Sequence, residues 1–189
     1  MSVKSILLVG VGGQGTILVS RLLTQGLIHA GYDVKMSEVH GMAQRGGSVS
    51  TQVRFGDKVY SPIIGPGQAD ILVAFEQMEA VRYASYLRPE GTAVINLRRI
   101  MPMPVASGKA EYPENTVEEM AKNFSVTAVD AYKIAEDLGS VKSMNVVILG
   151  VLIKAMGLTD IDWETVLREN LPEKSLEINL KALKAGLGQ

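Results

Sequence analysis

Ser5-Ile-Leu-Leu-Val-Gly-Val-Gly-Gly-Gln-Gly15 decides the reading of this chain. The apolar run from Ile6 to Val9 reads as a buried strand. Glycines at 10, 12, 13 and 15 break it, and a helical spacing starts at once, with Val19, Leu23, Leu27 and Ala30 on one face. Strand, tight turn and helix N-terminus together make the geometry of a phosphate cradle. Gly10, Gly12 and Gly15 keep the G-x-G-x-x-G spacing. The first allows the turn, the second lets backbone approach a phosphate, and the third packs helix on strand. The helix N-terminus adds free N–H groups and positive potential for an anion. Gly10, Gly12, Gly13, Gln14 and Gly15 are therefore the candidate ligand-binding loop. The competing reading is a packing turn that binds nothing.

Outward from this loop, the spacing predicts a helix over 16–30, ended by Gly31, and a second strand closing at Glu38. A glycine-dense loop follows, Val39-His-Gly-Met-Ala-Gln-Arg-Gly-Gly47. Residues 48–55 alternate, Gly56-Asp57 turns, and Val59, Ser61 and Ile63 alternate again, which predicts a β-hairpin. Strands are expected at 69–75, 92–97 and 126–129. Helices are expected at 76–87, 131–138, 143–156, 163–169 and 173–185. Thr116 and Glu119 have the spacing of a capping box for one more short helix. Residues 98–115, with Pro102, Pro104 and Pro113, form a long irregular loop of the kind that often carries function. Strands alternating with helices give an α/β fold, a three-layer α/β/α Rossmann-like sandwich. Its sheet is mostly parallel, with an antiparallel hairpin and a helical C-terminus. At 189 residues one domain, 1–189, is expected.

Several polar residues stand out. His40 could move a proton near neutral pH and Arg45 could fork onto a carboxylate or phosphate, in a loop whose glycines let backbone approach a ligand or a second chain. The alternative is a surface turn. Glu38 lies where a dinucleotide enzyme places its ribose-binding acid, or it orders the adjoining loop. Glu76, at the edge where α/β folds bind ligands, either contacts a ligand or caps the following helix. Asn145, on an otherwise apolar helix, is a buried strut or a partner contact. His29 reads as an ordinary helix flank. Met42, Met101 and Met103 sit in loops, which suggests a protein interface.

The composition excludes more than it assigns. Net charge is −1, with no basic block for a nucleic-acid surface, and the residues are 47% hydrophobic and 21% charged. The absence of cysteine removes disulfides, thiolate nucleophiles and cysteine-ligated clusters from this chain, and fits a cytoplasmic location. Two histidines leave little from which to build a metal site. No leader is expected, and no apolar run reaches a membrane span. There is no G-x-S-x-G elbow, no Walker lysine and no self-contained catalytic set.

Taken together, Val9–Gly15, Ser37–Ser48, Val53-Arg-Phe-Gly56 and Ala69–Glu76 resemble the gamma-domain family of the 2-oxoacid:ferredoxin oxidoreductases. Within it the chain is most similar to the beta subunit of the indolepyruvate type. Glu38-Val-His-Gly-Met-Ala-Gln-Arg-Gly-Gly-Ser48 is the most specific stretch, supported by Tyr60-Ser-Pro62 and the C-terminal Glu177–Ala182 and Gly186. The resemblance implies oxidative decarboxylation of a 2-oxoacid with coenzyme A to an acyl-CoA, with ferredoxin as acceptor. Aryl pyruvates from aromatic amino acid catabolism would be the substrates. It further implies a larger alpha subunit carrying thiamine diphosphate and [4Fe–4S] clusters, ferredoxin reached through the complex, and a chain inactive alone. A homodimer of the isolated chain stays open. The glycine loop and Arg45 would receive a coenzyme A phosphate or contact the thiamine-bearing subunit, with residues 40–47 facing that partner. Two alternatives remain: a stand-alone dinucleotide-binding oxidoreductase, and an adenylating enzyme, whose nucleotide loop also reads G-x-G-G-x-G.

Overall fold

The described residues of the computed structural model are 2–40 and 46–189, with His40 described only as a strand position. They form a six-stranded sheet from β1 (Lys4–Val11), β2 (Asp33–His40), β3 (Ser48–Gly56), β4 (Ala69–Ala74), β5 (Leu87–Asn96) and β6 (Ser125–Val129). Its order is β2-β3-β1-β4-β5-β6. β1, β4, β5 and β6 pair in parallel, and β3 runs antiparallel to both neighbours, β1 and β2. The apolar strands β1 and β4 are buried on both faces, as the centre of a parallel sheet requires.

One face carries α1 (Thr16–His29), α5 (Ala131–Asp137), α6 (Met144–Ala155), α7 (Trp163–Asn170) and α8 (Glu173–Leu187). Their core joins Ile6, Leu8, Phe55, Val73 and Val94 to Leu23, Leu27 and the apolar run Val146–Ile153 of α6. The opposite face carries the short α2 (Gln77–Arg82) and α4 (Thr116–Ala121) over Leu7, Val9, Leu72 and Ile95. Helices on both faces make three layers, as expected from the alternation. A further single turn, α3 (Met103–Ala106), lies in the 97–115 crossing. Among the described residues, no helix is long and apolar enough to cross a membrane.

The hairpin differs from expectation. β3 pairs back onto β2, so the antiparallel pair is β2–β3 rather than β3 with residues 59–63. Residues 59–63 form no strand, because both edges of β3 are already taken by β1 and β2. They run as a strap tied by side chains. Arg54 donates to the carbonyls of Ser61 and Ile63, Gln52 accepts from the Ile64 amide, and Asp33 accepts from the Val59 amide. The expected helix over 76–87 stops at Arg82, followed by a 3-10 turn, Ala84–Tyr86. β5 then starts at Leu87, five residues early, through a register shift against β4 at which Glu90 takes a positive φ of 63°. The capping box does not form. Asn115 adopts the left-handed conformation at the cap, and the Thr116 hydroxyl instead donates to Gln77 Oε1 at 2.6 Å. On α1, Val19, Leu23 and Leu27 are buried as expected, whereas Ala30 lies beyond the helix and is exposed.

Candidate functional site

The carboxyl ends of β1, β4, β5 and β6 and the start of β3 converge on one edge, where open α/β sheets bind ligands. Side-chain amides fix the backbone there. Gln14 accepts from the Val11 amide and donates to the Phe75 carbonyl, both at 2.8 Å. Asn96, fully buried, donates to that same carbonyl at 3.1 Å and accepts from the Ala131 amide at 3.2 Å. Gln14 is thus a strut of the glycine loop, tying β1 to β4.

The glycine loop meets the second motif directly. The Gly12 amide donates to the Gly47 carbonyl at 2.8 Å, and the Gly46 amide donates to the Gly12 carbonyl at 3.3 Å. Of the loop's own amides, those of Gly13 and Gly15 have no hydrogen-bond partner among the described residues. Gly15 caps α1 at φ 83° with no capping side chain, and the first turn of α1 holds no acidic residue. The start of α1 thus presents unpaired amides with no carboxylate in its first turn. Arg45 and Met42 lie outside the described residues, and so does the side chain of His40.

Two clefts flank the loop. The first, about 350 Å³, is lined by Gly13, Thr16, Ile17, Glu38 and Val49. Glu38 accepts from Ser20 of α1 at 3.3 Å, so this cleft carries a carboxylate against apolar walls. The second, about 500 Å³, is lined by Gly13, Gly15, Arg98, Tyr132, Lys142 and Asn145. It lies between the starts of α1 and α6 and holds two cationic side chains, with no acidic residue in the first turn of either helix. The sign of the charge decides which cleft suits an anion: the second.

Asn145 is the unusual group in that cleft. It is only 6% exposed, its amide nitrogen reaches the Gly15 carbonyl at 3.4 Å, and its Oδ1 is buried with no partner among the described residues. A buried acceptor left unpaired costs free energy, on the order of 1–3 kcal/mol. A ligand hydroxyl or N–H that reached Asn145 would restore it.

Glu76 sits at this edge but its carboxylate is occupied. It is 1% exposed and caps α2, accepting from the Met78 and Glu79 amides at 2.8 and 3.2 Å. Its other oxygen accepts from the Ile100 amide at 3.1 Å and from the Tyr112 hydroxyl. Burial, and secondarily this bond to Glu76, push the Tyr112 phenol above its usual range. Of the two readings of Glu76, the cap is what the geometry displays. Glu79, also buried, receives Ser48 Oγ at 2.5 Å and Arg82 at 3.0 Å, so it anchors the start of β3 to α2. Met101 and Met103 are exposed, at 51% and 79%. His29 lies on the surface, 3.4 Å from Glu169. Among the described residues, no cluster of three His, Asp or Glu is placed to hold a metal ion.

Sequence reasoning found the loop and weighed Asn145, but passed over Arg98, Tyr132 and Lys142. Each lies on a different segment, and only the strand order brings them together.

The pyruvate ferredoxin/flavodoxin oxidoreductase family model matches residues 5–189. The chain is 42% identical to indolepyruvate oxidoreductase subunit IorB of Archaeoglobus fulgidus, covering 98% of this chain and 94% of that one. It is 38% identical to the subunit of the same name from Thermococcus kodakarensis, covering 99% and 96%. Its fold is that of the keto/oxoacid ferredoxin oxidoreductase gamma subunit from Geobacter sulfurreducens, with a TM-score of 0.77, 23% identity, and coverage of 100% and 96%. The chain therefore belongs to the pyruvate ferredoxin/flavodoxin oxidoreductase family, as a beta/gamma-type subunit of the indolepyruvate oxidoreductase kind.

Proposed function

We propose that this chain is the accessory subunit of an indolepyruvate, or other aryl pyruvate, ferredoxin oxidoreductase, and that it receives the phosphates of coenzyme A at its glycine loop. The overall reaction converts a 2-oxoacid and coenzyme A to an acyl-CoA and carbon dioxide, releasing two electrons to ferredoxin. Thiamine diphosphate supplies the carbanion chemistry when bound, and iron–sulfur clusters carry the electrons. This chain has no cysteine to ligate a cluster. Both are assigned to a larger partner subunit.

The observation that carries the reading is the second cleft. Unpaired loop amides, the starts of two helices, Arg98 and Lys142 converge there, and among the described residues no carboxylate lines the cleft. That arrangement binds an anionic ligand and leaves the chemistry to another subunit. The chain works in the cytoplasm, where ferredoxin accepts the electrons through the complex.

The test is anaerobic reduction of a viologen dye with indolepyruvate and coenzyme A, by this chain, by the larger subunit, and by both mixed. Activity in the mixture alone supports the assignment, and no gain over the larger subunit alone overturns it. One observation favours a second reading, a stand-alone dinucleotide enzyme: Glu38 and Gly13 line the same cleft. That reading requires the isolated chain to bind a nicotinamide dinucleotide.

A further inference from the structure

Arg98 lies two residues beyond β5 and lines the second cleft. Its guanidinium lies 4.2 Å from the centroid of the Tyr132 ring. No carboxylate pairs with it among the described residues. Arg82, Arg88 and Arg168, by contrast, pair with Glu79, Asp70 and Glu164. A cation stacked on a ring is held in one orientation while its N–H edges stay free to donate.

The backbone under Arg98 is held just as firmly. The Gln77 amide donates to the Arg98 carbonyl at 3.1 Å, and the Gln77 side chain donates to the Leu97 carbonyl at 2.7 Å. The Thr116 hydroxyl fixes the other end of the Gln77 amide. Two residues further on, Glu76 holds the Ile100 amide and, through Tyr112, the far end of the crossing. Arg99 lies over the Tyr112 ring at 5.3 Å. The start of α2 is thus a latch on the segment that presents Arg98.

We propose that Arg98 binds a phosphate of coenzyme A in the second cleft, and that Glu76 is a positioning residue which acts through it. This rests on the coenzyme A reading above and names the cation of that site. Arg98 forks onto phosphate oxygens from the Tyr132 face, opposite the glycine-loop amides, so the anion is held from two sides. Glu76 touches no ligand. It keeps the 97–112 segment folded against α2, so that Arg98 is in place before the ligand arrives and less ordering remains to be done on binding.

The experiment is calorimetric titration of the full chain with coenzyme A, for wild type, R98A, R98K, E76Q and the double variant E76Q/R98A. R98A weakens binding about tenfold or more, the scale of one hydrogen-bonded charge. R98K recovers part of it, since the charge stays but the planar fork is lost. In E76Q, the amide nitrogen faces two of the four donors from which the carboxylate accepts, so binding weakens in the wild-type background. It adds nothing further in the R98A background. A loss of equal size in both backgrounds, or a lower melting temperature with unchanged affinity, makes Glu76 structural only and overturns the latch. Normal affinity in R98A overturns the role of Arg98. No binding by wild type overturns the coenzyme A reading and this inference with it.

Discussion

Gly15 and Asn145 touch across 130 positions of the chain: the Asn145 amide nitrogen lies 3.4 Å from the Gly15 carbonyl oxygen. The contact seats the start of α6 on the start of α1 and closes the floor of the cationic cleft. It also explains the last glycine of the motif. A Cβ at position 15 would collide with the Asn145 side-chain amide, and φ there is 83°, where any L side chain is strained.

Gly15→Ala should therefore cost about 1–2 kcal/mol from backbone conformation alone, with the steric term added. Asn145→Ala removes the obstructing amide. The double variant should be more stable than the sum of the two singles by about 1 kcal/mol. Chemical denaturation of all four proteins measures this, and simple additivity would mean that the two residues do not meet in solution.

That contact marks where the sequence stops being legible. The G-x-G-x-x-G spacing announces an anion site because strand, turn and helix are contiguous. Asn145 is visible only as a lone polar residue on an apolar helix, and nothing local says that it faces Gly15. Strand order is hidden for the same reason. The alternation in β3 is clear, but its insertion between β1 and β2 depends on long-range pairing, so residues 59–63 look like its partner when they are a strap. Thr116 and Glu119 have the spacing of a cap, yet Gln77 on another helix takes the hydroxyl. Glu76 was readable as a choice between cap and ligand, and burial decides the geometry.

Tyr112→Phe should destabilise the fold by about 1.5 kcal/mol, the lower range for a hydrogen bond to a charged group. The 97–112 segment should also become more sensitive to protease. The raised phenol pKa adds a pH signature. Folding favours the neutral phenol, so the contribution is complete below the ordinary value of 10 and fades as pH rises above it. Ultraviolet titration of the folded wild type should contain one high-pH phenol ionisation that Tyr112→Phe lacks. If the step removed by Tyr112→Phe lies in the ordinary range, the buried Tyr112–Glu76 bond is absent from the solution structure.

Asp33 governs the opposite end of the pH scale. Its carboxylate accepts from Lys35 at 2.7 Å and from the Val59 amide at 2.9 Å, with Lys58 at 3.6 Å. These partners, Lys35 foremost, lower its pKa from 3.8 to about 2. A depressed carboxylate stabilises the fold fully above its unfolded value and loses that contribution as pH falls through the folded one. Urea midpoints measured from pH 4 down to pH 2 should fall less steeply in Asp33→Asn than in wild type. Parallel slopes would mean that the strap is not held at Val59 by this carboxylate.

Gly186 and Gly150 let α8 and α6 cross at backbone contact. A Cβ on Gly186 would overlap the Val147 carbonyl oxygen, and one on Gly150 would stand 2.5 Å from the Leu183 carbonyl oxygen. Backbone atoms cannot swing aside as a side-chain tip can, so the helices must separate, and with them the core around Leu183 and Val147. Gly186→Ala should cost about 1–3 kcal/mol, the usual range for overpacking, which for a chain of this size lowers the melting temperature by several degrees. Because α6 carries Asn145 at its start, the same displacement opens the cationic cleft. Coenzyme A affinity should fall along with stability, even though Gly186 lies in the helical layer and lines neither cleft. Calorimetric melting and titration on one preparation test both. A stable Gly186→Ala would mean that the helices part freely. A destabilised variant with full affinity would mean that the cleft does not depend on where α6 sits.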